Sequence, residues 1–418
     1  MAKFSSDKLS TYYLSQLCKK RHKERKMKVA FAVRDPSNFS KELPVFEELA
    51  KRDDTELYII VTPVISSTYA NSKEGKVIQR VGFCNDEMWQ FHKFYADKFN
   101  AKITAFTNLT DLRKLNLDYI FYLLPYETSR PFEYFRSDEV VKFTKICYIP
   151  YGYNGTVSFL QKEVNEREFL RNLYFYFSSC AETAEEHKKT YKSNVMMGYQ
   201  HFLDLGYPMT EQFFNLKKEP SENKSILWNP RWSYDPKEGG SHFFEYKDKF
   251  IALRDKYPNA KLGMRPHPNM FHGFLSDGKM SYSDVQAYRQ KLVEKNISYD
   301  DCQVLSKQTM TLLESAKNTD ILIADFSSTI IMYFASGCPI IYCEHNFEYL
   351  KDYAEMMKGI YIAKNWNDVE RYLDDLMNGI DPLKEQREKI RENFRRRQVG
   401  AAKRIVNCLV EDFRKSQI

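Results

Sequence analysis

A strongly apolar run, Ile321-Leu322-Ile323-Ala324, hands the chain directly to Asp325, Phe326, Ser327 and Ser328, and an apolar helix follows that stops at Gly337. An acid and two hydroxyls placed there meet the unpaired N–H groups and positive dipole end of a helix, a combination that attracts phosphate. The same residue types also cap helices with no ligand at all. A second run ends in Gly263-Met264-Arg265-Pro266-His267-Pro268. Its prolines stiffen the turn. Arg265 offers a fork matched to phosphate oxygens, and His267 suits a phosphate contact or general acid–base work. A histidine that only caps a turn has the same local sequence. In Trp228-Asn229-Pro230-Arg231-Trp232, Arg231 and Asn229 are further donor-side candidates; Trp228 reads as core, and Trp232 suits packing on a base or ring.

The first half of the chain carries the acceptor-side candidates. Pro150-Tyr151-Gly152-Tyr153-Asn154-Gly155 ends a strand run where an acceptor would meet the donor, and Gly152 and Gly155 permit close backbone approach, Gly152 to the donor. Tyr151 can hydrogen-bond there, but a phenol with a pKa of about 10 is a poor base at neutral pH. Asp35 and Glu127 follow other strand runs and are candidate carboxylates or, equally in keeping with their positions, loop caps. No Asp-x-Asp triplet occurs, so a metal-held nucleotide-sugar has no support and no metal is expected. Neither a phosphate-binding G-x-x-x-x-G-K-[ST] loop nor a G-x-G-x-x-G turn is present, which weighs against ATP hydrolysis and nicotinamide chemistry.

These loops need a scaffold, and the chain supplies one twice. From Lys28–Val33 onward, strand runs (Glu56–Val61, Tyr119–Leu124, Lys145–Ile149, Tyr174–Phe177, Val195–Met197) alternate with helical patterns such as Leu43–Arg52, Asp86–Phe99 and Ala181–Tyr191. A second series follows Pro208, with strands at Ser225–Trp228, Lys261–Met264, Ile321–Ala324 and Pro339–Tyr342. Its helices fall at His242–Lys256, Asp284–Lys295, Thr309–Lys317, Ser328–Ala335 and Asn367–Met377, and one long helix spans Pro382–Arg414. Short apolar strands between helices predict parallel sheets covered on both faces. At 418 residues the chain has room for two such domains. The expected fold is α/β, two Rossmann-like doubly wound domains facing across a cleft. The expected segments are 1–26 (a basic N-terminal segment), 27–207 (acceptor side), 208–380 (nucleotide-donor side) and 381–418 (a C-terminal helix packing back on the first domain).

A formal charge of +7 suits an anionic partner. Nucleic acid is not expected, because no aromatic-interleaved basic motif accompanies the charge. Tyr12, Tyr13, Leu14 and Leu17 form one helical face ahead of a basic run from Lys19 to Lys26, which reads either as a membrane-surface helix or as a solvated linker. The eight cysteines form no C-x-x-C pair and read as buried free thiols of a reducing cytoplasm. No signal-peptide pattern opens the chain and no apolar run reaches membrane-spanning length. The expected location is cytoplasmic, or peripheral on the inner face of the membrane.

From Ser225 to about Leu409 the chain resembles the CDP-glycerol glycerophosphotransferase family, the teichoic-acid polymerases and primases of GT-B fold. Arg265-Pro266-His267-Pro268 is similar to that family's R/K-P-H-P element, and Asp325-Phe326-Ser327-Ser328 with Pro339-Ile340-Ile341-Tyr342 is similar to its D-Y-S-S…P-I-I-F/Y element. Gly198-Tyr199-Gln200-His201-Phe202 echoes a G-x-P-R-x-D segment, and Val399–Ile405 its closing helix. The resemblance implies that His267, Ser327 and Ser328 hold the donor's pyrophosphate while an acceptor hydroxyl attacks in line and releases CMP. The family's first-domain H-G-T element, whose histidine is taken as the base, is replaced here by Tyr151-Gly152-Tyr153. The base is then Tyr151, Glu127 or Asp35, or the reaction needs little help from one, or the protein is a divergent relative with a changed activity.

The expected function is transfer of a glycerol-phosphate or related polyol-phosphate unit from a CDP-linked donor to a hydroxyl of a bacterial cell-wall or capsule polymer, or of its lipid-linked precursor, with no cofactor. Two alternatives stand beside it. One is a GT-B glycosyltransferase using a nucleotide-sugar or CMP-sugar, favoured by the missing histidine. The other is a non-catalytic subunit of a polysaccharide assembly complex.

Overall fold

In a computed structural model of the chain, residues 6–34, 36–62, 64–69, 77–82, 86–105, 109–130, 132–218, 221–235, 239–300 and 311–418 are described. The chain forms two compact units. The first gathers Met1–Asn154, Ser158–Met209 and Arg397–Ile418, and the second Gly155–Val157 and Thr210–Arg396.

The first unit is built on a seven-stranded parallel sheet in the order β5-β2-β1-β6-β7-β8-β9. Its strands are β1 (Met27–Val33), β2 (Thr55–Val61), β5 (Lys102–Ala105), β6 (Tyr119–Tyr122), β7 (Lys145–Tyr148), β8 (Leu173–Ser178) and β9 (His201–Asp204). An antiparallel hairpin, β3 (Val64–Tyr69) with β4 (Val77–Gly82), stands apart from the sheet. β6, β7 and β8 are buried along their whole length, as strands covered on both faces must be. Phe31 on β1 stacks on Phe121 of β6 at 4.7 Å, so much of the aromatic content is core.

The second unit carries a six-stranded parallel sheet in the order β12-β11-β10-β13-β14-β15. The strands are β10 (Ser225–Asn229), β11 (Lys261–Met264), β12 (Ser298–Tyr299), β13 (Ile321–Ala324), β14 (Ile340–Cys343) and β15 (Tyr361–Ala363). Trp228, at 0% exposure, packs on Phe243 and Phe250 of the helix Phe243–Lys256. In each sheet the first strand is interior and the winding reverses beside it, between β1 and β6 and between β10 and β13. Open α/β sheets bind ligands outside the carboxyl ends of their strands at such reversals.

Several local expectations give way. Of the run Val195–Met197, Val195 and Met196 close the helix Lys192–Met196, and the edge strand is β9, just beyond. Gly198, at φ +71°, ends that helical stretch. A short apolar run does not by itself distinguish helix from strand. The long C-terminal helix is two, Lys384–Gln398 and Ala401–Lys415, divided at Gly400 with φ +83°. The second packs against the helix Pro36–Ala50 of the first unit. The helix expected at Ser328–Ala335 is only Ile330–Ala335.

The N-terminal segment is part of the first unit. In the helix Ser6–Lys19, Leu14 and Leu17 are buried, and Ser10 Oγ donates to Asn172 at 2.5 Å. Leu14 and Leu17 of the face expected to rest on a membrane are thus engaged in packing. Among the described residues no helix is long and apolar enough to cross a membrane. Cys18, Cys147, Cys180, Cys338, Cys343 and Cys408 are free thiols; Cys84 and Cys302 lie outside the described residues.

Candidate functional site

Three of the loops singled out from the sequence emerge side by side from β11, β10 and β13. The register sets Trp228 opposite Met264 on one side and Asn229 opposite Ala324 on the other. Asn229 ties the three loops together. Its side-chain amide donates to the Arg265 carbonyl at 2.5 Å, and its Oδ1 accepts from Thr329 Oγ1 at 3.1 Å. Backbone bonds continue the stitching, from Asp325 N to the Asn229 carbonyl at 3.2 Å and from His267 N to the Pro230 carbonyl at 3.0 Å.

Each side chain then has a definite task. His267 Nδ1 accepts the amide of Asn269 at 3.2 Å, so the proton of the neutral ring sits on Nε2. Its carbonyl receives Met270 N at 2.8 Å and starts the helix Met270–Ser276. Arg265 forms an ion pair with Asp300 beyond β12, so its fork already has one carboxylate. Arg231 is buried. Its guanidinium donates to the Phe326 carbonyl at 2.8 Å and lies 5.4, 5.9 and 6.0 Å from the ring centres of Phe326, Trp232 and Phe347. Ser327 Oγ accepts the amide of Thr329 at 3.2 Å and pairs with its hydroxyl at 2.9 Å. Ser328 beside it is half-buried.

Asp325 does not cap the following helix. Its carboxylate is fully buried, and Oδ2 accepts Arg231 N (2.9 Å), Ser241 Oγ (3.0 Å) and His242 N (3.3 Å). Oδ1 meets His242 Nδ1 at 2.7 Å and His345 Nε2 at 3.5 Å. Burial alone would raise the Asp325 pKa, but the bond from His242 and the nearby His345 ring prevail and hold it far below the usual carboxylate range. Burial opposes the charge on His242, and the Asp325 bond outweighs it, so that pKa is raised. The expected phosphate cradle at a helix start is therefore altered: the helix has six residues, Thr329 at its N-cap position makes no side-chain capping bond, and the acid before it anchors the loop 241–242.

His242 and His345 escaped the sequence reading, since neither lies in a recognisable motif. His345 follows β14, and attention to every loop after a strand would have found it. Among the described residues, His242, Asp325 and Cys343 form the one set whose ligand atoms suit a metal, all within 4.8 Å of one another. A cation there would have to displace the His242–Asp325 bond. It would also have to deprotonate a thiol whose pKa burial pushes well up.

Gly239 lines the same region with φ +79°, and a Cβ on it would collide with the Phe347 ring. Gly239→Ala combines left-handed strain with overpacking and is expected to cost about 1–3 kcal/mol. A urea titration of the variant checks this; an unchanged midpoint would refute the close approach.

The acceptor-side candidates sit in the first unit. Tyr151, beyond β7, is 37% exposed and shares a 2.7 Å hydrogen bond with Tyr126 Oη. Burial of the hydroxyl raises its pKa, with Glu163 and Glu166 adding to the rise and the Tyr126 bond opposing it. Gly152 follows in a bend. Glu127 is buried, bonded to the Ser137 amide and hydroxyl and paired with Arg130 at 3.2 Å. It fastens the excursion after β6. Asp35 lies outside the described residues. Glu163 was also missed by the sequence reading. It accepts from Tyr176 Oη at 2.6 Å and from the Asn154 amide, and its pKa is raised, chiefly by burial.

No family model and no curated protein sequence matches the chain. Solved structures do. A UDP-N-acetylglucosamine 2-epimerase aligns over 94% of this chain and 97% of its own, with a TM-score of 0.58 and 12% identity. The UDP-GlcNAc 2-epimerase of Neisseria meningitidis, bound to UDP-GlcNAc, covers 93% and 100% with a TM-score of 0.53 and 12% identity. A variant of the wall teichoic acid polymerase TagF soaked with CDPG covers 98% and 94% with a TM-score of 0.52, also at 12% identity. At such identities the likeness is one of fold: the chain has the two-domain α/β architecture of the GT-B class shared by these epimerases and this polymerase.

Proposed function

We propose that the protein is a transferase that binds a nucleoside-diphosphate-linked donor at the carboxyl ends of β10, β11 and β13. The observation that carries this reading is the convergence of Arg231, His267 and Ser327 at the reversal of the second sheet, stitched together by Asn229. Two cationic or donor groups and a hydroxyl suit a diphosphate. The finer reading is a CDP-linked glycerol or related polyol, passed to a hydroxyl of a cell-wall or capsule polymer or its lipid-linked precursor on the cytoplasmic side. An acceptor oxygen forms a bond to the distal phosphorus, the bridging P–O bond breaks, and CMP leaves with the electron pair.

The acceptor proton goes to a base. The raised pKa of Tyr151 and the ion pair of Glu127 with Arg130 speak against those two, whereas Glu163 is held by the neutral partners Tyr176 and Asn154 and its pKa is raised. Tyr151→Phe is expected to change turnover by less than about threefold. Glu163→Gln is expected to remove the acid limb of the rate profile, because a raised pKa makes the rate climb with pH above the ordinary glutamate range. Equal losses in both variants would refute this assignment.

A nucleotide-sugar donor is the second reading, favoured by the phenol pair Tyr126–Tyr151 where the polymerase-like pattern has a histidine. Thermal unfolding with CMP, CDP, CDP-glycerol, UDP and UDP-GlcNAc separates the two. Protection by cytidine nucleotides supports the first and by uridine nucleotides the second; protection by none refutes both.

A further inference from the structure

Part of the basic segment after the N-terminal helix lines a cleft of about 190 Å³ in the first unit. Lys20, Arg21, Arg25 and Lys145 face it with Asp118 the one carboxylate among its walls. Tyr119 and Lys145 open β6 and β7, so the cleft lies at the amino ends of these strands, opposite the loops after β1, β6 and β7.

Two of the four cations are already neutralised. Arg25 grips Asp118 with two bonds of 2.7 and 2.8 Å, and Lys145 holds Asp412 at 2.5 Å. Lys20 and Arg21 meet backbone carbonyls instead, Lys20 Nζ that of Phe143 at 2.7 Å and Arg21 those of Cys18 and Lys20 at 3.0 and 3.1 Å. Burial lowers the Lys20 pKa, and Arg25 and Lys145 lower it further against the opposing pull of Asp118. Crowded cations in a concave, partly desolvated place gain from an anion with several acceptor oxygens.

We propose that this cleft binds a phosphate-bearing ligand, a phosphomonoester or diphosphate group, separately from the donor site of the second unit. The charged segment that reads as a membrane-surface helix then serves as a headgroup-sized anion site. The phosphate comes from a soluble metabolite or from the headgroup of an anionic lipid, and the two sources are separable.

Lys20 labelling by an amine-reactive ester, read by peptide mass spectrometry on the full chain, reports on this cleft alone. Pyrophosphate at low salt is expected to slow Lys20 labelling about tenfold while leaving the exposed Lys189 unaffected. Vesicles of phosphatidylcholine with and without phosphatidic acid form the second arm. Protection by pyrophosphate identifies a soluble ligand; protection only by phosphatidic acid identifies a lipid headgroup. Arg21→Gln, an exposed change whose fold circular dichroism verifies, is expected to abolish the protection. If neither ligand slows Lys20 labelling, or if Arg21→Gln leaves protection intact, the cleft is not an anion site.

Discussion

Replacing Asp325 by alanine is expected to destabilise the second unit by about 3–5 kcal/mol, the cost of removing one partner from a buried ion pair. Four donor atoms now satisfied by one carboxylate, from Arg231, Ser241 and His242, would be left facing an apolar void. The melting temperature should fall by roughly 10 °C for a unit of this size. Tryptophan fluorescence is a suitable readout, because Trp228, Trp232 and Trp366 lie in the second unit and only Trp89 in the first. The pH dependence has a definite sign. The raised pKa of His242 means its contribution is full below the ordinary histidine value and fades as pH rises through the raised one. The depressed pKa of Asp325 means its contribution is full above the ordinary carboxylate value and fades only in strong acid. Stability should therefore decline as pH rises above the ordinary histidine value, and Asp325→Asn should flatten that decline. A melting temperature for Asp325→Ala within about 1 °C of the parent would show that the cluster does not hold the loops.

His267→Ala is expected to weaken donor binding by about 10–100-fold while leaving the fold intact, the worth of one hydrogen bond to a charged oxygen. The ring is half-buried. The bonds that position its loop are made by its own backbone, to Pro230 and Met270, and these survive truncation. Calorimetric titration of the protecting nucleotide against both proteins measures the loss. Because Nδ1 is occupied by the Asn269 amide, asparagine, whose amide stands near the Nδ1 position, should fail where glutamine, which reaches toward Nε2, partly rescues. Unchanged affinity in the alanine variant would remove His267 from the donor site and leave the diphosphate reading without its imidazole.

Much of the architecture was legible because strands covered on both faces read as continuous apolar runs. β1, β2, β6, β7, β8, β10, β11, β13 and β14 fall where such runs stand, and the three donor-side loops follow three of them. The short edge and hairpin strands left no such signature: β5 is exposed or half-buried along its length, and β12 has two residues. The region around Gly198 misled for a related reason, since its apolar residues are too few to set a period.

The residue sequence by itself determined the alternation of strands and helices, and with it the position of Asn229, Arg231, Arg265, His267, Asp325 and Ser327 at strand ends. Those are local properties, set by periodicity and by proline and glycine. Only the tertiary structure decided which partners these groups have. Asp325 could not be assigned to His242 rather than to a helix cap, nor Glu127 to Ser137 and Arg130, nor Leu14 and Leu17 to the core rather than to a membrane. A buried polar or apolar group is satisfied by whatever the fold brings within a few ångströms, and that neighbour is set by the packing of distant segments.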